Sequence, residues 1–315
     1  MRSTIADLRR FARRLLGSPA AVKREGTQFD SLARLHAQYG RDGAAPPVLC
    51  FGDSVLERVA REDADQRTLG AMLEHELPAI AISHSAFQPQ VYRQLLRAVQ
   101  VMPRRPSVLV VPINIRCFSP QWDFHPEFQF ERELAALERY IADPSDAAAN
   151  VSIEFRPTDA DREAYARRPV EYPGSSCKTI GDFIAIRDAS PDTERARRLA
   201  TIFEFHYMHP LEREHRKLRD LVAVTSLSRD LGLRTLFYLT PINHEAGVRH
   251  CGAAFAERYA ANASIVRELV ELADLGQLVP STEFIHPDIA NEHLNQSGRA
   301  RLAGEIVTRV RGLLG

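Results

Sequence analysis

The chain has no apolar run approaching the ~18 residues that a membrane-spanning helix needs, so no span is expected. It has little cysteine. The four residues, Cys50, Cys117, Cys177 and Cys251, are widely spaced and form no CxxC pair, which argues against a zinc knuckle or a disulfide framework. Neither sign of charge is in excess, with 41 basic and 41 acidic residues, so there is no global electrostatic reason to expect nucleic acid as a partner. The first residues carry no apolar h-region with a small-residue cleavage site; export by that route is not expected, and reduced thiols in the cytoplasm are the default reading. Clear repeats and low-complexity tracts are also missing.

What is there is an ordinary globular composition, 44% hydrophobic and 26% charged, over 315 residues. That length suits one large domain with an insertion, or two domains. The opening stretch MRSTIADLRRFARRLLGSP sets Ile5, Leu8, Ala12, Leu15 and Leu16 near one helical face and Arg9, Arg10, Arg13 and Arg14 mostly on the others. Such a helix can dock on the protein's own body or on a partner, which is the plainer reading. Peripheral contact of residues 1–16 with an anionic membrane stays open.

After a second helical stretch around FDSLARLHAQYG and the turn-forming RDGAAPP, the apolar run VLCF at 48–51 reads as a buried strand. Helical periodicity follows over 55–76, then AIAI at 79–82, a helix from Pro89 to Val101, and SVLVVP at 107–112. The alternation resumes late, with a helix through LVAVTSLSRDLG, the strand RTLFYLTP, a helix over 253–274 and a last helix from about Ser297. Strands alternating with helices imply a parallel sheet covered on both faces, with ligands at the carboxyl ends of the strands. The middle lacks this rhythm and reads as a mainly helical insertion. The expected organisation is an N-terminal helical extension at 1–46, an α/β domain at 47–122 and 213–315, and an insertion or cap at 123–212.

The strand VLCF runs into Gly52-Asp53-Ser54 just before a helical pattern. That places a serine hydroxyl at a strand's carboxyl end and a helix N-terminus, where free N–H groups can meet an oxyanion. Alone, the tripeptide reads equally as a helix cap after a tight turn. The C-terminal stretch HPDIANEHLNQSGRARLA adds His293 just before a glycine-containing helix start.

With these two blocks the sequence resembles the SGNH/GDSL hydrolase superfamily: FGDSVLE matches its first block and HLNQSGRARLA its last. The resemblance covers roughly 47–122 and 220–315. It implies a three-layer αβα sandwich with a flavodoxin-like parallel sheet, Ser54 as nucleophile and His293 as base. It also implies oxyanion donors from the Ser54 N–H, from Asn114 in VVPINIR, and from the segment AIAISHSAF, where Ala86 takes the place of the family's glycine. The family's acid stands three residues before the histidine, and here that residue is Ala290. Asp288 is the better candidate acid, Glu292 being adjacent to His293 and expected to point elsewhere; a Ser-His dyad held by a backbone carbonyl is the alternative.

Arg116, His84 and Asn243 are candidate substrate contacts at strand ends. An ordinary ion pair for Arg116 and a plain loop role for His84 are the competing readings. The histidines of HYMHPLEREH suggest a metal, but Pro210 interrupts their helical spacing and a packing role is preferred. No metal and no cofactor are expected. The implied activity is cleavage of a carboxylic ester, an acyl or acetyl group on a sugar or another polar small molecule. An acyltransferase using the same site, or a binding protein that has lost turnover, are the alternatives.

Overall fold

A computed structural model of the chain describes residues 30–41, 43–120, 122, 130–144, 158–170, 177–188 and 194–315. The amphipathic stretch at 1–16 lies outside the described residues. Among the described residues no helix is long and apolar enough to cross a membrane.

Five strands form one parallel sheet: β1 (Val48–Gly52), β2 (Ala79–Ser83), β3 (Val108–Ile113), β4 (Arg234–Leu239) and β5 (Ala273–Asp274), in the order β2-β1-β3-β4-β5. β1 and β3 are apolar at nearly every position because both their faces are covered, as parallel sheets require. Alternate residues serve opposite layers. Leu49, Phe51, Leu109 and Val111 join the core beneath α1 (Asp30–Tyr39), α4 (Pro89–Gln100), α9 (Arg216–Asp230) and α11 (Ala253–Leu269). Val48, Cys50, Val108 and Val110 face α3 (Leu69–Glu76) and α12 (Gln296–Leu314). The result is a three-layer αβα sandwich with the flavodoxin-like strand order, as the sequence implies.

The helical periodicity over 55–76 is broken in the fold into α2 (Ser54–Glu57) and α3, with irregular chain between. That intervening backbone finds its hydrogen bonds on α12 instead. The fully buried Arg299 donates to the carbonyls of Arg67 (3.1 Å), Asp65 (2.6 Å) and Leu294 (3.0 Å) and to the Asp63 carboxylate (2.6 Å). Gln296 Oε1 accepts from the Ala64 and Asp65 N–H groups. A partner more than 230 positions away thus outcompetes local helix formation. The helix read over 253–274 likewise stops at Leu269, and Ala273–Asp274 pairs with β4 as the edge strand β5.

Within 123–212 lie α5 (Glu131–Ala142), α6 (Asp159–Ala166), α7 (Ile180–Asp188) and α8 (Arg195–Tyr207). α5 sends Leu137 and Tyr140 into the main core. Ile180, Phe183 and Phe205 form a small separate core, while Phe203 and Tyr207 of α8 reach the main one. α10 (His244–Cys251) packs on α8 and α11.

Gly298 sits in the first turn of α12, where a Cβ would lie 2.5 Å from the backbone oxygen of Glu283. Alanine favours a helix interior over glycine by about 1 kcal/mol, yet the overlap with fixed backbone costs about 1–3 kcal/mol. Gly298→Ala is therefore expected to lower stability by up to about 2 kcal/mol in urea unfolding. A stabilised variant would show that this helix does not need its close approach.

Candidate active site

The chain connection from β1 leads to β2 on one side, and the next strand, β3, returns to the other side of β1. At that reversal the carboxyl ends of β1 and β3 border a crevice. Gly52 closes β1 with no room for a side chain, since a Cβ there would overlap Leu56. Asp53 then caps α2, accepting the Val55 N–H at 2.9 Å, and Ser54 becomes the first helical residue. The serine hydroxyl is half-buried and lies 3.0 Å from Nε2 of His293. For Nε2 to accept the hydroxyl proton, the ring's own proton must sit on Nδ1.

His293 is fixed through its backbone. Its N–H donates to Asn291 Oδ1 (3.1 Å) and its carbonyl accepts from Ile285 N–H (2.9 Å). Burial holds its pKa down at about 4, with Arg58, Arg116 and His286 pushing the same way and Glu292 opposing them. The ring is thus an unprotonated acceptor at neutral pH.

Asn114, at the end of β3, donates Nδ2 to Asp53 Oδ2 (3.1 Å) and accepts the Arg116 N–H at Oδ1 (3.0 Å), which fixes its amide and leaves a second Nδ2 hydrogen. Burial pushes Asp53 up to about 6 against the two hydrogen bonds it accepts. Across the crevice, His84 N–H reaches the Gly52 carbonyl and Phe87 N–H closes a tight turn on the His84 carbonyl (3.0 Å). Glu57 accepts from Ser83 (3.4 Å) and Ser85 (3.2 Å), tying that turn to α2. Within it Ala86 has φ of 71°, the left-handed region that favours glycine. Among the described residues the N–H groups of Ser54 and Ala86 have no acceptor.

Several sequence expectations change. Asp288 is exposed and is not at the imidazole: its carboxylate pairs with Arg249 (2.8 Å) and Arg195 (3.7 Å), because its turn faces α10 and α8. Among the described residues no carboxylate hydrogen-bonds His293. Ala290, where the family acid would stand, is buried in the main core. Asn243 is fully buried and contacts no crevice. It donates to the carbonyls of Pro287 (2.8 Å) and Ile289 (3.1 Å) and accepts from Ser281 (2.6 Å), so it shapes the loop before His293.

Arg116 has an internal partner rather than an open end. Its Nη1 lies 2.9 and 3.3 Å from the two oxygens of Glu292, and its guanidinium rests over Trp122. Burial opposes ionisation of Glu292, yet Arg116, His293 and the facing Tyr207 together hold its pKa below the ordinary range. The Tyr207 hydroxyl stops short of full hydrogen-bond geometry. His84 is exposed at the crevice, with Nδ1 against the Ser85 carbonyl (2.9 Å). His206 is buried beside Phe183, and His215 caps α9. Sequence spacing missed the Arg116–Glu292 pair, since its members are 176 positions apart.

The sequence matches no protein-family profile and no curated protein. Among solved structures it is similar to an acetyl xylan esterase, Est2A, from the rumen bacterium Butyrivibrio proteoclasticus. The TM-score is 0.31 and the identity 12%, over 87% of this chain and 66% of that one. The chain thus spans just under two thirds of that protein's length.

Two outcomes are expected. Ala86→Gly trades left-handed strain of about 1 kcal/mol against a similar gain in unfolded-chain entropy, so its melting temperature should stay level or rise slightly. A loss of unfolding free energy of more than about 1 kcal/mol would mean that the alanine is unstrained. The second concerns His293, whose folded pKa lies below its unfolded value of 6.5. Its contribution to stability is whole above pH 6.5 and is lost as pH falls towards 4, because the unfolded chain takes up the proton first. His293→Gln should flatten the acid side of the stability profile by on the order of 1–2 kcal/mol, less than full linkage because the ring keeps some solvent contact. Parallel wild-type and variant profiles would contradict the assignment.

Proposed function

We propose that the chain is a serine hydrolase that cleaves a carboxylic ester through an acyl-enzyme on Ser54. The observation that carries this reading is the 3.0 Å contact between Ser54 Oγ and His293 Nε2 at the strand reversal of a parallel sheet. A neutral serine attacks a carbonyl only when a base removes its proton, and His293 is unprotonated and in reach. As Oγ bonds to the carbonyl carbon, the proton passes to Nε2 and the carbonyl oxygen becomes negative. The Ser54 and Ala86 N–H groups and the spare Asn114 hydrogen are the donors available to that oxygen.

Collapse of the tetrahedral intermediate expels the alcohol, which takes the proton from His293. Water then repeats the sequence, with His293 as its base, and releases the acid. Each step uses groups of the chain itself. The acyl group is read as acetyl or a longer acyl chain on a sugar or another polar alcohol, the substrate class that the sequence resemblance implies.

A fluorophosphonate probe tests the reading on the purified chain. Wild type should be labelled at one serine and should hydrolyse a short-chain p-nitrophenyl ester. Ser54→Ala and His293→Ala should lose labelling and turnover by about a thousandfold or more while keeping the melting transition. Asp288→Asn, which alters only exposed ion pairs, should stay within about twofold. Labelling of Ser54→Ala at the wild-type rate would sink the assignment.

A further inference from the structure

Among the described residues no carboxylate bonds Nδ1 of the base, yet a carboxylate is buried one residue before it. Glu292 is 2% exposed, and its partner Arg116, 18% exposed, comes from the loop after β3. That loop also carries Asn114, whose amide oxygen accepts the Arg116 N–H. One arginine therefore joins two loops of the site: its backbone orients the Asn114 amide, and its side chain holds the residue next to His293.

The geometry of the pair is poor for stability alone. A single nitrogen, Nη1, serves both Glu292 oxygens, where a bidentate fork would use two. Arg116 Nε is buried with no acceptor among the described residues. A buried ion pair is weak evidence of stabilisation even with good geometry, because both charges lose their water. A chain selected only for stability gains little from this arrangement.

We propose, on the hydrolase reading given above, that Glu292 is a positioning residue for the base. Held by Arg116, it supplies from the side the negative charge that stabilises the His293 imidazolium, in place of an acid hydrogen-bonded to Nδ1. Glu292 neither gains nor loses a proton in the reaction. The serine proton moves to Nε2 and on to the leaving alcohol, and the carboxylate acts only through its field. The charged or titratable groups that act most on the imidazole's charge are Glu292 and His286 from its own loop, Arg116 from the β3 loop and Arg58 from the end of α2. Of these, Glu292 alone favours the imidazolium. Asp288, occupied by Arg249 and Arg195, is absent from this group.

Two variants of the full chain separate a charge effect from a packing effect. Glu292→Gln keeps the shape and removes the charge. Arg116→Lys keeps the charge that holds Glu292 ionised but loses the planar guanidinium over Trp122. The measurements are kcat and KM for a p-nitrophenyl ester, and the His293 titration followed by nitrogen-15 NMR.

Glu292→Gln should lower kcat by about tenfold or more with KM nearly unchanged, and should move the His293 titration down by about one pH unit. Arg116→Lys should cost less in kcat and leave that titration in place. An unchanged His293 titration in Glu292→Gln, or a larger kcat loss in Arg116→Lys, would overturn the proposal. If Glu292→Gln fails to fold, the Glu292 carboxyl carbon-13 shift in wild type decides: an ionised group at pH 7 supports the proposal and a neutral one overturns it. Absence of probe labelling in wild type itself would instead be a failure of the hydrolase reading.

Discussion

The reversal of strand order between β1 and β3 governs the site. In a parallel sheet each strand ends on the same edge, and where successive connections leave in opposite directions no helix crosses that edge. Ser54 and Asn114 stand on the two sides of this gap because each follows directly on a strand that is buried on both faces. Moving either strand by one residue would turn its apolar side chains into the opposite layer, so the core enforces the register of the site. The precision of the crevice is in this sense a by-product of core packing.

His293 reaches the gap by a different means. It belongs to no strand of the sheet, and its loop is shaped by buried polar side chains. Asn243 ties the loop carbonyls to the end of β4, and Asn291 holds His293's own backbone. Arg299 binds the Leu294 carbonyl together with the irregular chain after Ser54. The segments that carry Ser54 and His293 are thereby joined through one guanidinium, fully buried but with acceptors for all three nitrogens. Buried polar groups satisfied this completely lose little on burial and specify one arrangement. They explain how a loop can hold an imidazole 3.0 Å from a hydroxyl with no acid, among the described residues, on its other nitrogen.

The Arg116–Glu292 pair belongs to the opposite case. Its hydrogen bonding is incomplete, and in the role proposed for it the pair would contribute a field where Arg299 contributes geometry. A lowered His293 pKa keeps the ring ready to accept a proton, but a ring too reluctant to hold one would be a feeble base. The Glu292 charge opposes that lowering. Asp53, next to Ser54, shows a similar balance, raised by burial and restrained by the Val55 and Asn114 bonds.

The sequence by itself determined the layered α/β architecture, because runs such as VLCF and SVLVVP can be buried on both faces only in a covered parallel sheet. Through its resemblance to a known hydrolase family it also pointed to Ser54, Ala86, Asn114 and His293, and the fold brings Ser54 and His293 together. Tertiary structure alone decided the rest. The break of 55–76 into two helices depends on Arg299, and the freedom of His293 Nδ1 from Asp288 depends on Arg249 and Arg195. The union of Arg116 with Glu292 spans 176 positions. Periodicity reports which face of an element is buried, but the partner of a buried charge is whichever group the fold brings opposite it. That is fixed by helix and loop placement in three dimensions, which no local spacing encodes.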